Sequence, residues 1–260
     1  MKITEKQIKN STASVEVVVS PTEMDKIKES VVDEMIQSVT VKGFRQGKAP
    51  KSIAQKNLDP EKLNNHIVNH LLNKVVIEII NEKKYQTLGR PVLDKLENTK
   101  DNDVKLELSF PLYPTFKLGK YKDSLKKAKI KNQDINTIYE TLLKNTKIEV
   151  SNHLVEEEAH QAMHRLEEQA KTLNLTTDKY LEAIKKTREE VKKEYEKSAL
   201  ESIKLDLILL EIAKEENISA DKKEVDGLMT SLGGDQSQLE RVKNIITRHK
   251  TIDFLKNLVK

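Results

Sequence analysis

The distribution of strand and helix patterns along the chain constrains its fold more than any other feature. The segments whose β-branched residues and flanking turns predict strands all lie before residue 111, most clearly SVEVVV at residues 14–19. From residue 135 onward, apolar residues recur at intervals of three and four nearly throughout, which is the period of an amphipathic helix. The pattern therefore predicts an α+β front region followed by an all-α rear region.

The front region is predicted to place helices on a small antiparallel sheet. Ser20 and Glu23 can form a capping box with Pro21 in the first helical position, and Asp59 with Pro60 is a second helix start. The predicted elements are strands at 2–8 and 14–19, a helix to Val39, a short helix at 50–57, a long helix to about Lys84, and a hairpin at 92–97 and 104–110. The two helices on either side of residues 40–49 are expected to form a protruding helix-loop-helix arm.

Composition and charge favour extended helical structure in a reducing compartment. Charged residues make up 34% of the chain and aromatic residues only 4%, so long exposed helices suit it better than one thick core. Without cysteine there is no disulfide or thiol chemistry. We expect neither a secretory signal peptide nor a membrane span, because no apolar run approaches 18 residues.

Charge is distributed unevenly along the chain. Residues 1–118 have a net charge of +3, residues 119–131 hold six lysines and one aspartate, and residues 132–260 have a net charge of −4. We interpret residues 119–131 as a basic linker that either touches RNA nonspecifically or serves as a solvated spacer. Only the front and the linker should be attracted to a polyanion.

The segment VKGFRQGKAP at residues 41–50 is predicted to be a loop that contacts a partner. Gly43 and Gly47 weaken a helix, and Pro50 disfavours helical geometry at the residue before it. The loop combines one large apolar side chain, Phe44, with one planar cation, Arg45. An aromatic anchor and a guanidinium that can fork to phosphate or carboxylate oxygens are typical of binding loops.

GFRQGKAP resembles G-F-R-x-G-K-x-P, the ribosome-binding signature of bacterial trigger factors, and the order of the surrounding elements resembles their amino-terminal domain. The resemblance implies docking beside the exit of the ribosomal tunnel, on protein and adjacent RNA. Gln46 and Ala49 fall at permissive positions of the pattern. The residues implied to bind the ribosome are Gly43, Phe44, Arg45, Gln46, Gly47, Lys48 and Pro50.

The rear region resembles the trigger-factor carboxy-terminal domain, a helical body with arm-like helices, most clearly in LDLILLEIAKEENI at residues 205–218. We therefore predict a ribosome-binding domain at 1–118, the linker at 119–131 and a helical substrate-binding domain at 132–260. The last helices of this domain are predicted at 220–232, 238–247 and 251–259. Full-length family members carry a prolyl isomerase of roughly 90 residues after the first domain, for which residues 119–134 leave no room. The resemblance thus implies a cytoplasmic chaperone without catalytic activity.

Two functions remain open from the sequence. The first is an ATP-independent chaperone whose partners are the ribosome and nascent or unfolded polypeptides, with no membrane partner and with weak self-association undecided. The second is a ribosome-associated RNA-binding or assembly factor with one dedicated protein partner. No nucleotide motif is present, so we predict no cofactor.

Two histidine groups have spacings that could suit a metal. They are His66 with His70, and the helical set His153, Glu156, Glu157, His160 and His164. Neither matches H-E-x-x-H and no cysteine supports them, so we predict no metal site and interpret them as exposed polar residues.

Overall fold

The structure is a computed structural model that describes residues 1–99, 102–128, 130, 134–231, 233 and 235–260. Its contacts divide the chain into two compact units, Met1–Tyr113 and Pro114–Lys260, here called the front unit and the rear unit. The front unit is α+β, and the rear unit is helical in the part that the structure describes. The predicted fold class is confirmed.

The front unit is a four-stranded antiparallel sheet with helices on one face. Its elements are β1 (Lys2–Lys9), β2 (Thr12–Val19), α1 (Pro21–Ser38), α2 (Lys51–Lys56), α3 (Pro60–Lys83), β3 (Val92–Asn98) and β4 (Val104–Pro111). The strand order is β1-β2-β4-β3, so that β2 and β4 are central, with Val15 opposite Leu108. Alternate residues of these two strands pack with apolar residues of α1 and α3, including Ile27, Leu71 and Val75.

The opposite face of the sheet carries a row of ion pairs. Glu16 lies 2.7 Å from the Lys6 ammonium and 2.8 Å from that of Lys105, and Lys6 also reaches Glu107 at 2.9 Å. Hydrogen bonds from Lys105 and Lys6 lower the pKa of Glu16 to about 2. This face is therefore polar, and apolar packing fixes the register from the helical side only.

The two predicted helix starts of the front unit, at Ser20 and Asp59, are confirmed. At the start of α1, the Ser20 backbone N–H donates to the Glu23 carboxylate at 3.1 Å, and both halves of the capping box are present. At α3, the Asp59 carboxylate accepts from the backbone N–H groups of Glu61 and Lys62. These caps satisfy donors that have no partner inside the helix, which is why short sequence patterns suffice to locate the two starts.

The rear unit consists of seven described helices. They are α4 (Tyr121–Lys127), α5 (Ile135–Asn145), α6 (Asn152–Thr172), α7 (Thr177–Ala183), α8 (Arg188–Glu215), α9 (Lys222–Ser231) and α10 (Leu239–Leu258), with a 3-10 turn at Gln236–Gln238. The main contacts join α6 and α10 to α8. In the described part of the chain, no helix is both long and apolar enough to cross a membrane.

Two predicted helix boundaries in the rear unit need correction. We predicted separate helices at 238–247 and 251–259, but α10 is continuous through this region. The Thr251 hydroxyl donates to the Thr247 carbonyl at 2.8 Å and is buried, so it is satisfied inside the helix instead of capping a new one. The helix predicted at 220–232 begins two residues later, at Lys222. Its predicted end, Leu232, lies outside the described residues.

Part of the segment interpreted as a linker is folded. Residues 121–127 form α4, in which Tyr121 and Leu125 are buried. The Tyr121 hydroxyl donates to the Glu216 carboxylate at 2.7 Å, and α4 also contacts α5 and α10. Lys129, Lys131, Asn132 and Gln133 lie outside the described residues. The contact division falls at residues 113 and 114, and the boundaries at 118 and 131 remain predictions.

Candidate functional site

The loop between α1 and α2 is built from two consecutive turns. The Phe44 N–H donates to the Val41 carbonyl at 3.0 Å, and the Lys48 N–H donates to the Arg45 carbonyl at 2.9 Å. Each turn has a glycine in its third position, Gly43 with φ +89° and Gly47 with φ +70°. A positive φ in that position strongly favours glycine, so the spacing of the two glycines follows from the turns. Phe44 and Arg45 stand where the turns meet.

The second turn lies directly against the end of α1. A Cβ atom on Gly47 would lie 2.8 Å from the carbonyl oxygen of Gln37, which is too close for any other residue without movement of the backbone. The Gln46 side-chain amide donates to the Ser38 carbonyl at 2.9 Å. That carbonyl belongs to the last turn of α1, where no helical partner is present. The loop is therefore joined to the helix end by both shape and hydrogen bonding.

The other side of the loop is joined to α2. Lys51, the first residue of α2, forms an ion pair with Asp33 on α1, and this contact raises the pKa of the Lys51 ammonium. Val41, Ala54 and Leu58 are buried around the base of the loop. Contacts on both sides hold the backbone of residues 41–50, and the loop is thus shaped before any partner arrives.

The tip of the loop presents apolar and cationic groups to solvent. Phe44 is 41% exposed although it is a large apolar residue. Arg45 is exposed, as are Lys42 and Lys48, and none of the three forms an ion pair with another described residue. This arrangement can place an aromatic ring in an apolar recess while cations contact phosphate or carboxylate oxygens around it.

All seven predicted site residues lie in this one loop. Gly43, Phe44, Arg45, Gln46, Lys48 and Pro50 are exposed, and Gly47 is partly buried by its contact with α1. The structure adds one candidate that the sequence did not reveal, Ile53 on α2, which is 40% exposed. Its neighbour Ala54 is fully buried, so the apolar side of this short helix could not be assigned from the pattern alone.

The histidine groups are not assembled into a metal centre. Within the described ranges, no three histidine, aspartate or glutamate side chains come together in a group that could hold a metal ion. His66, His160 and His164 are exposed, whereas the Nδ1 atom of His70 is buried without a hydrogen-bond partner.

Comparisons with known proteins cover the whole chain. The model of the bacterial trigger factor protein family matches residues 1–142, and the model of the trigger factor carboxy terminus matches residues 119–260. The trigger factor of Mycoplasma mobile is 31% identical over 148 residues, which are 54% of this chain and 30% of that protein. The trigger factor of Carboxydothermus hydrogenoformans is 31% identical over 153 residues, covering 54% of this chain and 34% of the relative. The chain thus spans about a third of the length of these curated relatives.

A solved structure shares the fold over its full length. It is described as "Promiscuous Substrate Recognition in Folding and Assembly Activities of the Trigger Factor Chaperone", and it matches 100% of both chains with a TM-score of 0.67 and 14% identity. Fold and loop together define a two-unit protein in which an α+β unit with an exposed Phe-Arg loop precedes a helical unit. With family matches to both halves, this chain belongs to the bacterial trigger factor family.

Proposed function

We propose that the protein is a chaperone that docks on the ribosome through the loop at residues 41–50 and shields nascent or unfolded polypeptides without ATP. It would act in the cytoplasm, near the exit of the ribosomal tunnel. The loop geometry is the observation that carries this proposal. Two glycine-dependent turns, fixed to α1 and α2, display Phe44 and Arg45 together at an exposed tip.

A preformed loop suits docking because binding then orders few additional groups. Each flexible side chain that becomes immobile costs roughly 0.5–1.5 kcal/mol, and a disordered loop would add backbone entropy to that cost. Here the Gln46 hydrogen bond to the Ser38 carbonyl and the close approach of Gly47 to Gln37 already order the loop backbone in the free protein, so that this backbone cost does not arise on binding. Docking also concentrates the rear unit near emerging chains, so each client contact can be weak.

Client binding is assigned to the rear unit. A chaperone for many unfolded chains needs scattered, accessible apolar side chains, and Leu173 and Ile184 provide such groups with exposures of 56% and 41%. Both lie near helix ends, at the C-caps of α6 and α7.

We also propose that the protein has no prolyl isomerase activity. The two family matches overlap at residues 119–142, so no unmatched segment separates them, which supports the absence of an inserted catalytic domain. A proline-containing peptide should isomerise at its uncatalysed rate, over tens to hundreds of seconds, in the presence of the purified chain. A concentration-dependent acceleration would contradict this part of the proposal.

The docking proposal is tested by cosedimentation with ribosomes. We expect the double variant Phe44→Ala/Arg45→Ala to lose ribosome association while its melting temperature stays nearly unchanged, because exposed substitutions usually shift stability by less than about 0.5 kcal/mol. The matched control is Ile77→Ala/Lys74→Ala, which removes another exposed apolar residue and another exposed cation of the front unit. The control should cosediment like the wild type.

Two results would count against docking through the loop. One is full cosedimentation of the Phe44/Arg45 variant, and the other is equal loss in the control, which would mean that any exposed pair in the front unit matters.

Client range separates the chaperone from an assembly factor. The chain should suppress aggregation of several unrelated refolding proteins without nucleotide, whereas an assembly factor would protect none of them and bind one partner stoichiometrically.

A further inference from the structure

We infer that the rear unit carries an RNA-binding surface formed by Lys120, Lys126 and Lys127, here called the α4 lysines. The surface would bind the phosphodiester backbone of RNA without base specificity. The inference goes beyond loop docking, and it rests on the proposed function only in its choice of RNA among polyanions.

Positive charge is concentrated around α4 in an otherwise acidic unit. Residues 114–133 contain seven lysines and one acidic residue, Asp123. Residues 132–260 have a net charge of −4. A local basic surface on an acidic body attracts a polyanion to one place while the remainder of the unit repels it.

α4 is firmly attached to the rear unit, which fixes the position of the surface. Tyr121 and Leu125, one helical turn apart, are buried. Lys122 is held by Glu216 at 2.5 Å, and its ammonium lies 5.9 Å from the centres of the Tyr121 and Phe254 rings. The Lys122 ammonium and the Tyr121 hydroxyl both lower the pKa of the Glu216 carboxyl, so this anchor stays charged at neutral pH. One lysine of the segment thus anchors the helix.

The α4 lysines have no such partner. All three are exposed and form no ion pair with any residue in the described ranges. Some other exposed lysines of the rear unit do find carboxylates, as Lys144 does with Glu140 at 3.3 Å. Lys126 and Lys127 are neighbours in the sequence, and Lys120 lies seven residues before Lys127, about two helical turns away. Unpaired ammonium groups on one short helix repel one another, and bound phosphate groups relieve this repulsion.

The presence of a lysine at position 120 does not contribute to the stability of α4. It occupies the N-cap of α4 and its side chain makes no capping hydrogen bond. Helices favour Ser, Thr, Asp or Asn at this position, and the positive end of the helix disfavours a cation. Lys126 and Lys127 lie in the last turn, where the helix favours cations. Placement of Lys120 therefore points to a partner outside the helix.

RNA fits this surface better than a membrane does. Peripheral membrane binding combines basic residues with apolar side chains that insert between lipids. The exposed large apolar residues of the described chain are Ile8, Phe44, Ile53, Ile77, Leu96, Leu173 and Ile184. None of them lies within residues 114–128, so α4 offers charge without an apolar anchor. A chain docked on the ribosome is also surrounded by RNA phosphates.

The experiment compares two charge-matched triple variants. In the Phe44→Ala/Arg45→Ala background, which removes the loop contribution, Lys120→Gln/Lys126→Gln/Lys127→Gln is compared with Lys144→Gln/Lys171→Gln/Lys243→Gln. The control removes three lysines of the rear unit that pair with carboxylates on their own helices, of which Lys144 and Lys171 are exposed and Lys243 is partly buried. Binding to a labelled oligouridylate of about 20 nucleotides is followed by fluorescence anisotropy between about 50 and about 200 mM salt.

We expect the α4 variant to bind the oligouridylate about tenfold more weakly or worse, and the control less than twofold. The slope of log K against log salt should fall by about two, since each phosphate contact to single-stranded RNA contributes about 0.7. Equal weakening of both variants would overturn the inference, because it would reduce the effect to net charge. If the Phe44→Ala/Arg45→Ala chain still binds the oligouridylate, the inference about the α4 lysines stands whether or not the proposal of docking through the loop is correct.

Two competitors test the choice of partner. Vesicles rich in phosphatidylserine should bind the chain more weakly than the oligouridylate at the same salt concentration. Polyglutamate at equal charge concentration should displace little RNA. Tighter binding to vesicles, or full displacement by polyglutamate, would contradict the assignment to RNA.

Discussion

The two units carry their candidate binding groups in different ways. In the front unit, an aromatic anchor and a cation share one loop of ten residues, whose backbone is fixed by two turns and by the end of α1. In the rear unit, the exposed apolar residues Leu173 and Ile184 and the basic residues of α4 stand on separate helices. A rigid loop with closely placed groups suits one partner of fixed shape, whereas dispersed groups are sufficient for partners of varied shape. Single substitutions should therefore matter more in the front unit's loop than on the rear unit's surface.

The largest effects are expected in the two cores. Phe110→Ala should destabilise the front unit by about 3–5 kcal/mol and Leu125→Ala the rear unit by about 2–5 kcal/mol, since both side chains are fully buried. Amide hydrogen exchange within each unit measures the two losses separately. The Leu125 result is the sharper one, because a solvated linker would lose less than about 0.5 kcal/mol. Such a small loss would restore the linker interpretation of residues 119–131.

An intermediate effect is expected from the loop glycines. Gly43→Ala should weaken ribosome association by about 5- to 30-fold, because a non-glycine residue at positive φ costs roughly 1–2 kcal/mol. Gly47→Ala should weaken it more, since the added Cβ also meets the Gln37 carbonyl at 2.8 Å. Gly43 has open space at the same place and is the matched control. Equal losses in a cosedimentation titration would show that contact with α1 does not shape the loop.

The smallest effect concerns the charged face of the sheet. The pKa of Glu16 is about 2 in the folded protein, against an ordinary value of 4.5. Its contribution to stability is therefore present above about pH 4.5 and is lost as the pH falls towards 2. The melting temperature of Glu16→Gln should lie slightly below that of the wild type at neutral pH, and the gap should close over this acid range. A gap that persists at pH 2 would assign the effect to something other than the ion pairs. Added salt should also narrow this gap in melting temperature, because the ion pairs are partly exposed to solvent.

Local rules predicted the helix starts and the identity of the loop. Ser20 with Glu23, and Asp59 before Pro60, act within one turn of chain, so their hydrogen bonds follow from neighbouring residues alone. α4 was not predicted, because its seven residues offer only Tyr121 and Leu125 as an apolar stripe. A helix of this length is not stable by itself, and contacts with distant residues such as Glu216 decide its structure.

The residue types of the candidate site could be predicted from the sequence, but the contacts that hold the loop in place could not. The positive φ of Gly43 and Gly47 agrees with the turn preference of glycine. The approach of Gly47 to Gln37, the bond from Gln46 to Ser38 and the pairing of Lys51 with Asp33 all join segments eight or more residues apart. Such pairs depend on the path of the whole loop, which no periodicity in the sequence records.

The contact between Gly47 and the Gln37 carbonyl has a practical consequence for protein engineering. The eight residues GFRQGKAP cannot be transferred to another protein alone, because the loop is shaped partly by contacts with the end of the preceding helix. A graft onto another scaffold would have to include the last turn of α1 and the first turn of α2. The smallest transferable module would extend from Asp33, the partner of Lys51, to Leu58, which closes the buried base.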